Sequence, residues 1–116
     1  MRNNAILLGW NRALLGREQL AAQMFQAFTQ YLQGLQKEGT IDSFEPIFIT
    51  PHGGSLNGFF VLRGNPQKLD ELCGSRGWAE WLMKGTLHLE GLCELRALSG
   101  PAMAERMALY TESIPR

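Results

Sequence analysis

His88 and Glu90 stand two residues apart in a run from Thr86 to Leu98 that alternates apolar and polar side chains. On a strand that spacing puts both on one face, roughly 6.5 to 7 Å apart. An imidazole and a carboxylate so placed can exchange a proton with a ligand, or the carboxylate can hold a charged imidazole. Glu94 and Arg96 continue that face, and Leu92 adds apolar wall. The plain alternative is a polar patch on an edge strand. The other histidine, His52, lies in Pro51-His52-Gly53-Gly54-Ser55-Leu56-Asn57-Gly58. Glycines there let backbone amides turn toward an anion, and the imidazole can donate or accept a proton. A turn between two strands asks for the same residues for its backbone alone.

Other groups read more simply. Trp78 and Trp81 are spaced to pack against a sheet, and Met103, Met107 and Tyr110 form a stripe that could cover an apolar cavity. Cys73 and Cys93 fall among apolar neighbours, far apart in sequence, and read as two reduced core thiols. There is no phosphate-binding glycine loop, dinucleotide fingerprint, histidine pair at metal spacing or nucleophile elbow. Neither metal nor cofactor is expected.

These residues need a scaffold, and the chain spells one out. Arg17 to Lys37 has the 3.6-residue period of a half-buried helix. Leu20, Met24, Phe28, Tyr31 and Leu35 form its apolar stripe; Gln19, Gln23, Gln26, Gln30, Gln33 and Gln36 fill the other side. Gly39 supplies the stop. Before it, Asn4 to Trp10 is a strand apolar on both faces, with Ile6, Leu8 and Trp10 on one of them. After it, Ile41 to Thr50 and Phe59 to Arg63 form a hairpin whose Pro46 belongs on an edge. Asn65-Pro66 starts a second helix with Leu69, Leu72 and Cys73 inward, followed by a short segment from Trp78 to near Gly85. Thr86 to Leu98 is the last strand, and Ser99-Gly100-Pro101 opens a terminal helix.

The order predicts an α+β fold: a ferredoxin-like βαββαβ sandwich with a C-terminal helix, one domain over residues 1–116. The second and fourth strands take the edges. Eleven basic residues balance eleven acidic ones, so no electrostatic footprint for nucleic acid or an anionic membrane is expected. No apolar run is long enough for a membrane span or a signal-peptide core, which leads to a cytoplasmic protein. Two helices cover one sheet face only, yet the first and third strands are apolar on both. The second face therefore calls for a homodimer partner.

Gly16-Arg17-Glu18, Ser43-Phe44-Glu45-Pro46 and Pro51-His52-Gly53-Gly54 with Leu56-Asn57-Gly58-Phe59-Phe60 resemble a small bacterial family without an assigned reaction. With the element order, they look like the dimeric α+β barrel superfamily, which includes antibiotic-biosynthesis monooxygenase-like and haem-degrading proteins. The resemblance implies two sheets packed face to face. Haem-degrading members use an asparagine, a tryptophan and a histidine. By type the counterparts would be Trp78, His88 and Asn4 or Asn11, but their spacing departs from that pattern. The fold alone does not set the function.

The expected site is a pocket between the two sheets, with His88, Glu90, Leu92, Arg96, His52 and Trp10 as ligand-binding residues and a small apolar or aromatic ligand. Here the helices are expected to claim the Leu87-Leu89-Cys93-Leu95 face. The competing functions are a cofactor-independent monooxygenase- or isomerase-like enzyme using the same pocket, and an interaction module without ligand.

Overall fold

The computed structural model describes residues 2–115. In order its elements are β1 (Ala5–Trp10), β2 (Arg12–Ala13), α1 (Glu18–Glu38), β3 (Ser43–Phe48), β4 (Gly58–Arg63), α2 (Pro66–Cys73), α3 (Arg76–His88), β5 (Leu89–Glu90), β6 (Cys93–Ala97) and α4 (Pro101–Glu112). The main sheet has the order β3-β4-β1-β6, antiparallel throughout, and β2 pairs with β5 in a two-stranded extension. This is an α+β arrangement of a ferredoxin-like kind. Among the described residues no helix is long and apolar enough to cross a membrane.

Helix boundaries follow local chemistry. α1 ends where Gly39 takes a left-handed φ of 82° and its amide closes back on the last turn. Asn65 caps α2 by accepting from the amides of Gln67 and Lys68, with Pro66 at the first helical position. Ser75 caps α3 by accepting from the Trp78 amide. From that cap α3 runs thirteen residues, longer than the short segment from Trp78 to near Gly85 that the sequence suggests.

The core lies between the helices and one side of the sheet. Ile6 and Leu8 of β1 and Phe60 and Leu62 of β4 meet Phe28, Leu32 and Leu35 of α1, Leu69 and Leu72 of α2, and Trp78 of α3. The buried stripe of α1 is centred on Ala21, Phe28, Leu32 and Leu35, leaving Leu20 at its margin, half exposed. Pro46 sits on edge strand β3, where its missing amide costs no ladder bond.

The last strand differs from expectation in two ways. α3 continues helical through His88, and Gly91, at a φ of 72°, interrupts the extended chain between β5 and β6. His88 is therefore a helix-end residue. The side assignment of β6 is also reversed. Leu8 lies opposite Glu94 and Ile6 opposite Arg96, so both charged side chains share the helix side with the core of β1. Leu7 lies opposite Leu95 and Gly9 opposite Cys93, which places Leu95 and Cys93 on the side away from the helices. Leu95 and Leu87 are both more than half exposed. The sheet edge tolerates this reversal because a carboxylate and a guanidinium there reach the rim of the helix layer.

Candidate functional site

α1 and α3 pack side by side over the sheet, and between them, at the Trp10 end of β1, the core opens into an aromatic cleft. Met24, Phe25 and Phe28 reach it from α1; Trp78, Trp81, Leu82 and Gly85 from α3; Leu8, Trp10, Phe60, Leu89 and Leu92 from the strands and the β5–β6 bend. Half of the twelve lining residues are aromatic. Their rings form a connected series. Trp10 lies 4.7 Å from Phe25 and 5.6 Å from Phe60 between centroids, and Phe28 lies 5.2 Å edge-on to Phe60 and 5.4 Å from Trp81. These are favourable tilted and edge-to-face contacts.

The cleft is small and almost wholly apolar. Its internal space is about 30 Å³, and a single water needs about 10–15 Å³ on that measure plus several polar partners. Only indole N–H groups could offer a polar contact, and that of Trp78 already donates to a Glu94 oxygen at 2.7 Å. Thus no carboxylate, imidazole or thiol lines it. The arrangement can bind an apolar ring by contact and desolvation, and it offers no group for proton transfer.

Gly85 is part of the wall, and a side chain there would press on the tip of Leu92. A Cβ there would stand 2.6 Å from the Leu92 Cδ2 atom. Leu92 is half-buried opposite this point and closes the cleft from the strand side.

The sequence-derived candidates do not assemble at one place. Trp10 and Leu92 line the cleft. His88, half-buried at the end of α3, has its Nδ1 3.4 Å from the Arg17 guanidinium. Its neighbour Glu90 is held by the Arg12 guanidinium at 2.7 Å, across the β2–β5 ladder. Arg96 lies 3.5 Å from Glu94 and 3.6 Å from Asp70, and Asp70 is also paired with Arg2. His52 braces its own loop. Its Nδ1 accepts from the Gly54 amide at 3.2 Å, which makes Nε2 the protonated nitrogen donating to the Leu56 carbonyl at 2.8 Å.

The grouping of Asn4, Asn11, Trp78 and His88 by residue type finds no common centre either. Trp78 is fully buried on Glu94, Asn4 holds Ser99, and Asn11 accepts from Asn57 at 2.8 Å. Among the described residues no cluster of three or more histidine, cysteine or carboxylate side chains could hold a metal ion. A second, wider groove lies between the end of α1 and α2, with Tyr31, Glu38, Lys68 and Glu71 around it. It is shallow and open to solvent.

Two thiols complete the titratable groups of interest. Cys73 packs against the core, and Cys93 lies on the opposite side of the sheet. Burial pushes the Cys73 thiol above its ordinary range, with the nearby Arg96 pulling the other way and Glu94 and Asp70 adding to the rise. Burial likewise raises Tyr31, helped by Glu38.

The sequence reading missed Met24, Phe25, Phe60, Trp81, Leu82 and Gly85 as cleft residues. A signal was there: Trp78, Trp81, Leu82 and Gly85 follow the three- and four-residue spacing of one helix face. That pattern reads equally well as plain core. Comparison with family models, with curated proteins and with solved structures finds no match to this chain.

Proposed function

We propose that this protein binds a small apolar or aromatic molecule in the cleft between α1 and α3, as a homodimer of the dimeric α+β barrel kind. The cleft carries the reading: an aromatic-lined opening into the core, bordered by side chains that can yield. Met24 is flexible and half-buried, and Leu92 projects from a bend marked by the left-handed Gly91. A ring would enter by displacing these two. The pocket thus lies on the helix side of each sheet, with Trp10 and Leu92 retained as binding residues. An apolar lining without acid or base favours binding over a monooxygenase- or isomerase-like reaction.

The dimer reading rests on the other side of the sheet. Leu7, Phe59 and Val61, all half-buried, and Leu95, more than half exposed, lie there in register and outside the core beneath the helices. An apolar sheet face of this kind favours a second sheet as cover. A cytoplasmic setting agrees with two thiols on opposite sides of the sheet.

Titration with naphthalene, followed by tryptophan fluorescence, tests the site. Saturable quenching is expected in the native protein. Gly85→Ala should drive the Leu92 tip into the cleft and weaken binding at least tenfold. The same change favours the α3 helix by about 0.8–1 kcal/mol in intrinsic propensity, and a urea unfolding midpoint measured alongside separates lost binding from lost fold. Equal affinity in both proteins, or no saturable signal in either, would remove the cleft as a binding site.

A further inference from the structure

The two helix faces that line the cleft run on into basic side chains, and those side chains meet. On α1, Arg17 stands one turn before the buried Ala21 and two turns before Met24, on the face that carries Phe25 and Phe28 further along. Its carbonyl accepts from the Ala21 amide at 2.8 Å, so it is already in register with the helix that follows. On α3, Trp81, Lys84, Gly85 and His88 occupy one stripe at spacings of three and four. The Arg17 guanidinium reaches the His88 ring at 3.4 Å, and Lys84 lies one turn back from His88, about 5–6 Å away between Cβ atoms. Two cations and an imidazole thus gather where the start of α1 meets the end of α3.

No acid of the chain answers them. Among the described residues neither Arg17 nor Lys84 forms an ion pair. The nearest carboxylates in sequence are engaged elsewhere: Glu18 accepts from the Gly16 amide at 3.2 Å, and Glu90 is held by Arg12 at 2.7 Å. Lys84 instead rests its ammonium 4.4 Å from the centre of the Trp81 ring, a wall of the cleft. Arg17 can only donate, so the Nδ1 it faces is an acceptor and the proton of the neutral His88 ring sits on Nε2. That N–H has no acceptor among the described residues. The carbonyls of Gly85 and His88, which would repel an anion here, already accept from the Leu89 and Leu14 amides.

The distance suits one molecule spanning both regions. Gly85 lines the cleft, and His88 lies three residues further along α3, about 4.5 Å at the helical rise. One or two linking atoms therefore carry a group from a ring beside Gly85 to the Arg17–His88 pair. Leu89, next to His88, is itself a buried wall residue. The cations thus border a desolvated surface, where attraction is screened less than in open water.

We infer that the ligand of the cleft is an organic acid: an apolar ring on a short link to a carboxylate, which Arg17, Lys84 and the His88 Nε2–H receive. This rests on the cleft reading proposed above and adds the ligand's charge and the residues that recognise it.

The test compares 2-naphthylacetate with 2-naphthylacetamide, which has the same ring and link without the charge. Both are titrated into the full chain at neutral pH and followed by tryptophan fluorescence, alongside naphthalene. The acid should bind about tenfold more tightly than the amide, the worth of one hydrogen bond to a charged group. Arg17→Gln combined with Lys84→Gln, both at exposed positions, should bring the two affinities within about twofold of each other. The ratio is taken within one protein, so any change in folding that weakens both compounds cancels. Equal affinities in the native chain would overturn the acid and leave the apolar cleft standing. A preference for the acid that survives in the double variant would overturn its recognition by these residues. Saturable binding by none of the three compounds would remove the cleft and the acid together.

Discussion

The Trp78 indole, fully buried beneath α3, donates its N–H to a Glu94 carboxylate oxygen at 2.7 Å. This bond joins α3 to the edge strand β6 and accounts for a carboxylate on the helix side of the sheet. A buried indole nitrogen needs an acceptor, and β6 supplies it. The same carboxylate lies near Arg96, which continues to Asp70 on α2. Three elements are thus tied by one polar chain at the rim of an apolar core.

Removing the acceptor should cost stability, and the two partners should not act independently. Glu94→Ala leaves the Trp78 N–H buried without a partner, and the expected loss is about 1–3 kcal/mol in urea unfolding. Glu94→Gln keeps an acceptor oxygen and should recover most of that. Trp78→Phe with Glu94→Ala should cost less than the sum of the two single changes. Strict additivity in this cycle would show that the bond contributes nothing specific.

Stability should fall as the solution becomes alkaline, and Cys73 should contribute. Burial raises its thiol above the ordinary value of 9.0 in the folded chain, because burial disfavours the thiolate. The unfolded chain then loses its proton first, so its bound-proton number drops below that of the native state. Unfolding free energy decreases with pH through that window. The contribution is fully present below 9.0 and is lost as pH rises toward the folded value. Tyr31, raised from 10.0 by burial and Glu38, adds a later fall of the same sign. Unfolding midpoints measured across this range should decline, with a shallower decline in Cys73→Ala. An identical slope in that variant would rule Cys73 out as a source.

His52 should matter to its loop and not to the ligand. Both ring nitrogens are used within Pro51 to Gly58, one accepting from Gly54 and the other donating to Leu56. His52→Ala should speed hydrogen exchange at the Gly54 amide. Naphthalene affinity should stay within about twofold, a change of about 0.4 kcal/mol. A large loss of affinity would bring the loop back into the binding site.

Much of the frame was legible in the residues themselves. The α1 stripe, the Gly39 stop, the Asn65-Pro66 start and the edge position of Pro46 are all local matters. Each depends on helical period, capping chemistry or a missing amide, and none needs a distant partner. Alternation puts His88, Glu90, Leu92, Glu94 and Arg96 on one face, and of these Glu94 and Arg96 do share a face of β6, whereas the helix through His88 and the bend at Gly91 separate the others from it. What alternation cannot supply is which set faces the helices, since a two-residue period looks the same from either side. The pairing of β6 with β1 decided it, by placing Glu94 beside Leu8 and Arg96 beside Ile6.

The cleft was hidden for a similar reason. Its walls come from α1, α3, β1, β4 and the bend at Gly91, segments spread across most of the chain. Apolar spacing marks such residues as buried but cannot say where their packing falls short of closure. That gap depends on how two helices settle over a twisted sheet, so Trp10 and Leu92 became neighbours of Phe25 and Gly85 only in three dimensions.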